Sequence, residues 1–284
     1  MSATFRYAIC NELFHDRSLE QGMREAKALG YTGLEIAPFT LAPPDHPYAS
    51  SINKADRQKV CDLAASIGME IIGLHWLLAK TQGFHLTTRD PDIRRKTAAY
   101  FEELIELCVD LGGNIMVLGS PLQRNFPADM SHSEAMTNAA DTIRLFTKSL
   151  EQKGITLAIE PLGPTEGNFL NYAHQGKELV HWIDSPNVKL HLDVKAMSTE
   201  GTPIASIIQQ NADQLIHFHA NDPNLLGPGM GEVAFEPIFA ALRSIGYNGW
   251  VSVEVFDYSP GVGTILQKSM ESMKRAELAC APRN

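Results

Sequence analysis

Residues 154–194 read GITLAIEPLGPTEGNFLNYAHQGKELVHWIDSPNVKLHLDV. Short apolar runs stand near its two ends, at 155–161 and 188–194, and helical periodicity fills 175–184 between them. A strand, a helix and a second strand in that order form a βαβ unit, and the crossover makes the two strands parallel. Gly154 occupies the corner where the preceding helix gives way to the strand, a place that favours positive φ.

The same unit repeats along the chain. Strand-like runs recur near 5–12, 32–38, 69–78, 114–120, 215–222 and 249–256. Helical patterns recur near 18–29, 53–66, 91–111, 131–152, 203–210, 235–245 and 262–279. Ser18, with Gln21 three residues on, reads as the cap of the first helix. No linker long enough to divide the chain interrupts the eight units, so residues 1–284 are read as one α/β domain, a (β/α)8 TIM barrel. An open doubly wound sheet is the alternative; it would normally stop sooner, and no GxGxxG follows the first strand. The long stretches follow strands rather than helices, at 39–52, 78–90, 121–130, 161–174 and 222–234. In a barrel all of them lie on the carboxyl-end face, where active sites are built.

Composition narrows the class. A formal charge of -9, from 24 basic and 33 acidic residues, argues against a nucleic-acid partner. Cys10, Cys61, Cys108 and Cys280 form no CxxC pair and read as reduced thiols of a cytoplasmic protein. No signal-like segment precedes the first strand and no run of 18 apolar residues occurs, so neither export nor a membrane partner is expected.

Strand side chains alternate, so every second residue points into the barrel. The last inward polar residues of strands five to eight are then Glu160, Asp193, His219 and Glu254. Any one of them reads equally as a solvated strand end. Four consecutive strands in matching phase read better as ligands brought to one point. Buried carboxylates repel one another and need a cation or a shared proton. Three carboxylates with one imidazole suit one divalent metal ion, Mn²⁺ or Mg²⁺ first and Co²⁺ or Zn²⁺ as alternatives. His191 and His217 lie one layer deeper, to hold the ligating carboxylates or to serve as satisfied core histidines, with His191 also counted as a substrate contact. Lys195 continues the inward phase past Asp193, toward substrate oxygens, a ligand carboxylate or water. His75, Trp76, Lys80 and His85 are candidates for one wall, with Trp76 either a stacking face or a core residue. Glu35 ends strand two inward, Asn221 and Asp222 are placed for hydroxyl binding or the turn, and 223–231 is read as an arch over the pocket.

With those residues in hand, the chain resembles the sugar-phosphate isomerase/epimerase superfamily of xylose-isomerase-like TIM barrels, nearest the D-tagatose and D-psicose 3-epimerase group. The resemblance rests on IEP at 159–161, LD at 192–193, HFH at 217–219 and VEVF at 253–256. It implies Glu160, Asp193, His219 and Glu254 as metal ligands, and Glu160 and Glu254 as the catalytic pair flanking the carbon that loses and regains a proton. It also implies Glu166 as a substrate-binding residue, in the segment E-P-L-x-x-x-E. Two departures stand out: Ala196 and Leu225 occupy places where these epimerases carry a histidine and an arginine for substrate hydroxyls. The implied activity is epimerisation or isomerisation of a sugar or keto-sugar, by glutamate proton abstraction next to a carbonyl and a metal-stabilised enediolate. The alternative is a lyase or dehydratase acting on a 3-keto sugar or keto-inositol. An abasic-site endonuclease of the same wider group needs about three metals and more histidines, and a non-catalytic sensor has no need of both glutamates. The partner is a small carbohydrate, either a free or oxidised sugar, which is slightly favoured, or a sugar phosphate, and related barrels commonly form homo-oligomers.

Overall fold

The computed structural model describes residues 5–281. Eight parallel strands close into a barrel in chain order. They are β1 (Arg6–Cys10), β2 (Gly33–Ile36), β3 (Glu70–Leu74), β4 (Ile115–Leu118), β5 (Thr156–Ile159), β6 (Val188–Asp193), β7 (Leu215–Ala220) and β8 (Trp250–Val253). Helices α1 (Leu19–Leu29), α2 (Lys54–Ile67), α3 (Pro91–Asp110), α4 (His132–Arg144) and α5 (Thr147–Lys153) belong to the first half. The second half adds α6 (Ala173–Ile183), α7 (Val194–Met197), α8 (Ile204–Gln210), α9 (Phe235–Ser244) and α10 (Val262–Ala279). The expected barrel and its eight units are present. Ser18 and Gln21 form the capping box of α1, and Gly30 closes that helix at φ 105°.

Alternation along the strands sorts the core into two regions. Outward residues such as Leu34, Leu157, Leu192, Phe218 and Val251 join the large apolar cluster under the helices. Inward residues at the amino end fill the barrel floor, with Ala8, Ile72 and Trp250 in one cluster and Ile115, Val117 and Ala158 in another. Further along, the inward positions turn polar. Strand register sets His191 beside His217 and Asp193 beside His219, while Ser252 stands next to His219 on the other side.

Several boundaries differ from the sequence reading, and three of them show what sets them. The helix expected over 131–152 is broken between α4 and α5, where the Phe146 ring is buried flat against Phe101 at 4.6 Å. The strand expected over 69–78 stops at Leu74, and Trp76 turns the chain with φ 50°. Lys195 does not continue strand six, because the Asp193 carboxylate accepts from the Ala196 amide and starts α7 at once. All four cysteines carry free thiols, and no helix among the described residues is long and apolar enough to cross a membrane.

Candidate metal centre and active site

Four side chains meet at the carboxyl end of β5–β7. Glu160, His191, Asp193 and His219 each offer a ligand atom within 4.8 Å of the others, and all four are buried. Glu160 follows the last residue of β5, and the Arg124 guanidinium, itself buried, donates to its carbonyl oxygen at 2.7 Å. Asp193 is held from two sides, by the Ala196 amide at 2.8 Å and the Asn221 amide side chain at 2.5 Å. The expected fourth ligand, Glu254, meets the cluster at its edge. One of its oxygens lies 3.2 Å from His219 Nδ1 and the other accepts from Trp76 Nε1 at 2.7 Å. His191 also belongs to the group, 3.8 Å from a Glu160 oxygen.

Electrostatics shows what this arrangement lacks. Burial pushes the Glu160 carboxyl well above its ordinary range, helped by the charges of Glu254 and Asp193. Burial likewise lifts Asp193 to about 6, against the pull of Lys195. Burial alone would disfavour a charged His219, but Glu35 and Glu254 on either side outweigh it and hold its pKa well above the usual value. His191 is the opposite case: burial and the neighbouring His219 and His217 keep it neutral, and neither of its ring nitrogens has a partner. Carboxylates pushed toward neutrality beside an unpartnered neutral imidazole are deficient in positive charge. A donor set of carboxylate and imidazole without thiolate fits a hard or borderline divalent cation.

Two pairs that sequence reasoning did not connect lie beside the cluster. Glu35 lies 2.8 Å from His217 Nε2 and 3.1 Å from His219 Nε2, so His217 reaches the cluster through Glu35 and not by holding a ligating carboxylate. His75 is fully buried against Glu12 at 2.6 Å and lines neither cavity of the face, in place of the expected wall contact. Glu12 lies in the single turn Asn11–Phe14 just past β1, and its place after a strand on the carboxyl-end face is the signal that would have singled it out.

Above the cluster, Glu160 and Glu254 line one cavity of about 280 Å³ with Trp76, Lys80, Leu162, Glu166 and Phe256. Phe39, Trp76 and Phe256 stack in a column, 5.9 Å apart at each step. The Lys80 ammonium closes one end over Phe39 at 4.3 Å, and Lys195 closes the other over Phe256 at 4.4 Å. Trp76 thus packs against two other rings and stays partly exposed in the cavity lining. Glu166 accepts from the Lys195 ammonium at 2.6 Å, joining two of the expected substrate residues in one pair at the cavity edge.

Asp222 is turned elsewhere. Its carboxylate lies against Gly231, and it lines neither cavity of this face. The 223–231 stretch does not arch over the pocket: Gly227 and Gly229 press it against Ser269 and Ser272 of α10. His85 lines a separate depression with Arg89 and Pro127.

The chain is 27% identical over 244 residues to a probable ketose 3-epimerase of Synechocystis, covering 84% of this chain and 79% of the relative. It is 29% identical over 232 residues to a D-psicose 3-epimerase of Ruminiclostridium cellulolyticum, with 80% and 75% covered. Among solved structures, a D-psicose 3-epimerase with D-tagatose from Clostridium cellulolyticum matches with a TM-score of 0.81 at 21% identity, over 97% of this chain and 99% of that one. That likeness speaks for the fold. The family profile for the Xylose isomerase-like TIM barrel matches residues 23–276. The match runs from within α1 almost to the end of α10, and the chain belongs to the xylose isomerase-like TIM-barrel family.

Proposed function

We propose that this chain is a divalent-metal-dependent epimerase or isomerase of a keto-sugar. One observation carries the reading: Glu160 and Glu254 line the same small cavity, directly above the Asp193 and His219 cluster. The kinship with ketose 3-epimerases supports it. Glu160, Asp193 and His219 would hold the cation, with Glu254, which meets His219, as the fourth ligand. Bound there, Mn²⁺ or Mg²⁺ supplies a Lewis acid beside a substrate carbonyl and so acidifies the adjacent C–H.

The protein's own groups do the rest. One glutamate takes the proton from the carbon next to the carbonyl, and the other returns a proton from the opposite side. Trp76 holds the Glu254 carboxylate through its indole N–H, and Arg124 holds the Glu160 backbone, so both bases are fixed before substrate arrives. The Lys195–Glu166 pair offers a donor and an acceptor to substrate hydroxyls.

Solvent deuterium entering the carbon beside the carbonyl of candidate ketoses tests the reading. Glu254→Gln is expected to slow that exchange by about 10² or more, the scale of one general base, while the fold stays intact by circular dichroism. Exchange at the unaltered rate in this variant would end the glutamate assignment. Ala196 and Leu225, where the related epimerases carry substrate-binding side chains, keep the lyase reading in play. Release of water or an alcohol from a 3-keto sugar or keto-inositol, in place of a stereoisomer, would establish that outcome.

A further inference from the structure

The cavity that holds the two glutamates has a larger neighbour. A second compartment of about 590 Å³ opens on the same barrel face, and Trp76, Lys80 and Phe256 belong to the lining of both. The first compartment lies at the lower end of the range for small-molecule sites and has room for one sugar ring. The second is left over by any single-ring substrate seated at the glutamates.

Its walls have a definite chemistry. Phe14, Leu19 and Leu41 supply apolar surface suited to the C–H face of a ring. His15, Tyr258 and Lys80 supply polar tips around it. Glu12 also lines this compartment; one of its oxygens is taken by His75, and the other is buried with no partner. The Arg17 guanidinium of this lining is already paired with Asp16 and Glu25, so a phosphate or carboxylate would meet Lys80 alone, with the Glu12 carboxylate in the same lining. The partition between the compartments is held in a strained shape. Trp76 and Lys80 both sit in the left-handed region, at φ 50° and 62°, where residues with side chains persist only when the surroundings enforce them.

We infer that the substrate is a glycoside: its keto-sugar ring occupies the glutamate compartment, and a second, uncharged sugar ring occupies the compartment of Glu12, His15 and Tyr258. The inference rests on the keto-sugar reading for the first ring. The two rings are joined across Trp76, Lys80 and Phe256, which line both compartments.

Binding measured without turnover separates this inference from the catalytic assignment. Sorbitol, sorbitol 6-phosphate, lactitol, maltitol and isomaltitol are titrated into metal-loaded protein by calorimetry. None carries a carbonyl to react. At least one disaccharide alditol is expected to bind tenfold or more tightly than sorbitol. Tyr258→Ala and Glu12→Gln are each expected to shrink that ratio at least threefold, and Tyr258, half-buried on a loop, can be altered without emptying the core. A ratio near one across the panel, a gain confined to sorbitol 6-phosphate, or a ratio unmoved by both variants would overturn the inference. Loss of deuterium exchange with the binding ratio intact would instead sink only the proton-transfer reading.

Discussion

Gly119 follows β4 and faces Glu160 so closely that a Cβ there would stand 2.1 Å from a carboxylate oxygen. The glycine is therefore part of how Glu160 is aimed, although it makes no chemistry itself. Gly119→Ala is expected to push the carboxylate aside by about an ångström and to lower kcat by roughly 10², the usual consequence of such a displacement. Circular dichroism should remain that of the parent. If kcat stays within twofold, the observed position of Glu160 is not the one used in the reaction. At this scale the sequence was informative where strand phase alone decides orientation. Glu160, Asp193 and His219 follow from counting by twos, and the structure brings them together. It was silent on Glu12 with His75 and on Glu35 with His217, partners 63 and 182 residues apart, because local periodicity carries no record of which distant strand closes beside which. Trp76 was ambiguous for the same reason: Phe39 and Phe256, which pack against it, come from other loops.

At the scale of elements, the rhythm of eight βα units was legible because helix and strand differ in period, and because the caps lie in the local sequence. What escaped was set by tertiary contacts, such as Phe146 breaking a helix to lie on Phe101. A second contact of this kind fastens the barrel. Glu277 on α10 is only 6% exposed, yet it accepts from the Phe5 amide at 2.9 Å and from the Tyr7 hydroxyl at 2.8 Å. Together these bonds tie the start of β1 to the last helix, at the end of the barrel opposite the site. Glu277→Ala would strand two donors that are largely buried. A destabilisation of about 2–4 kcal/mol is expected, since bonds to a charged acceptor contribute about 1.5–3 kcal/mol each and are not additive. Urea unfolding measures it. A change below about 0.5 kcal/mol would show that water replaces the carboxylate without loss, and that β1 is held by its strand neighbours alone.

For the whole molecule, the charge deficit at the centre becomes a statement about stability. The folded barrel brings Glu160, Asp193 and Glu254 into a buried region where Glu160 and Asp193 are held above their ordinary pKa values. The unfolded chain has no such site, so a cation that binds there favours the fold by mass action. At a thousandfold excess over Kd the gain is about 4 kcal/mol. In a chain of this size that corresponds to a rise in Tm on the order of 10 °C. Protein stripped with a chelator is therefore expected to melt lower than protein reloaded with Mn²⁺, Mg²⁺, Co²⁺ or Zn²⁺, with the size of the rise ranking the ions. Asp193→Asn tests whether the gain arises at this centre. The Asn side chain keeps an acceptor for the Ala196 amide, so α7 retains its cap, but it removes one ligand charge. Its Tm should respond to added metal far less than the parent's. Coincident melting of stripped and reloaded parent protein would mean that the folded centre gains nothing from a cation. The proton on His219, bracketed by Glu35 and Glu254, would then be the charge that balances these carboxylates.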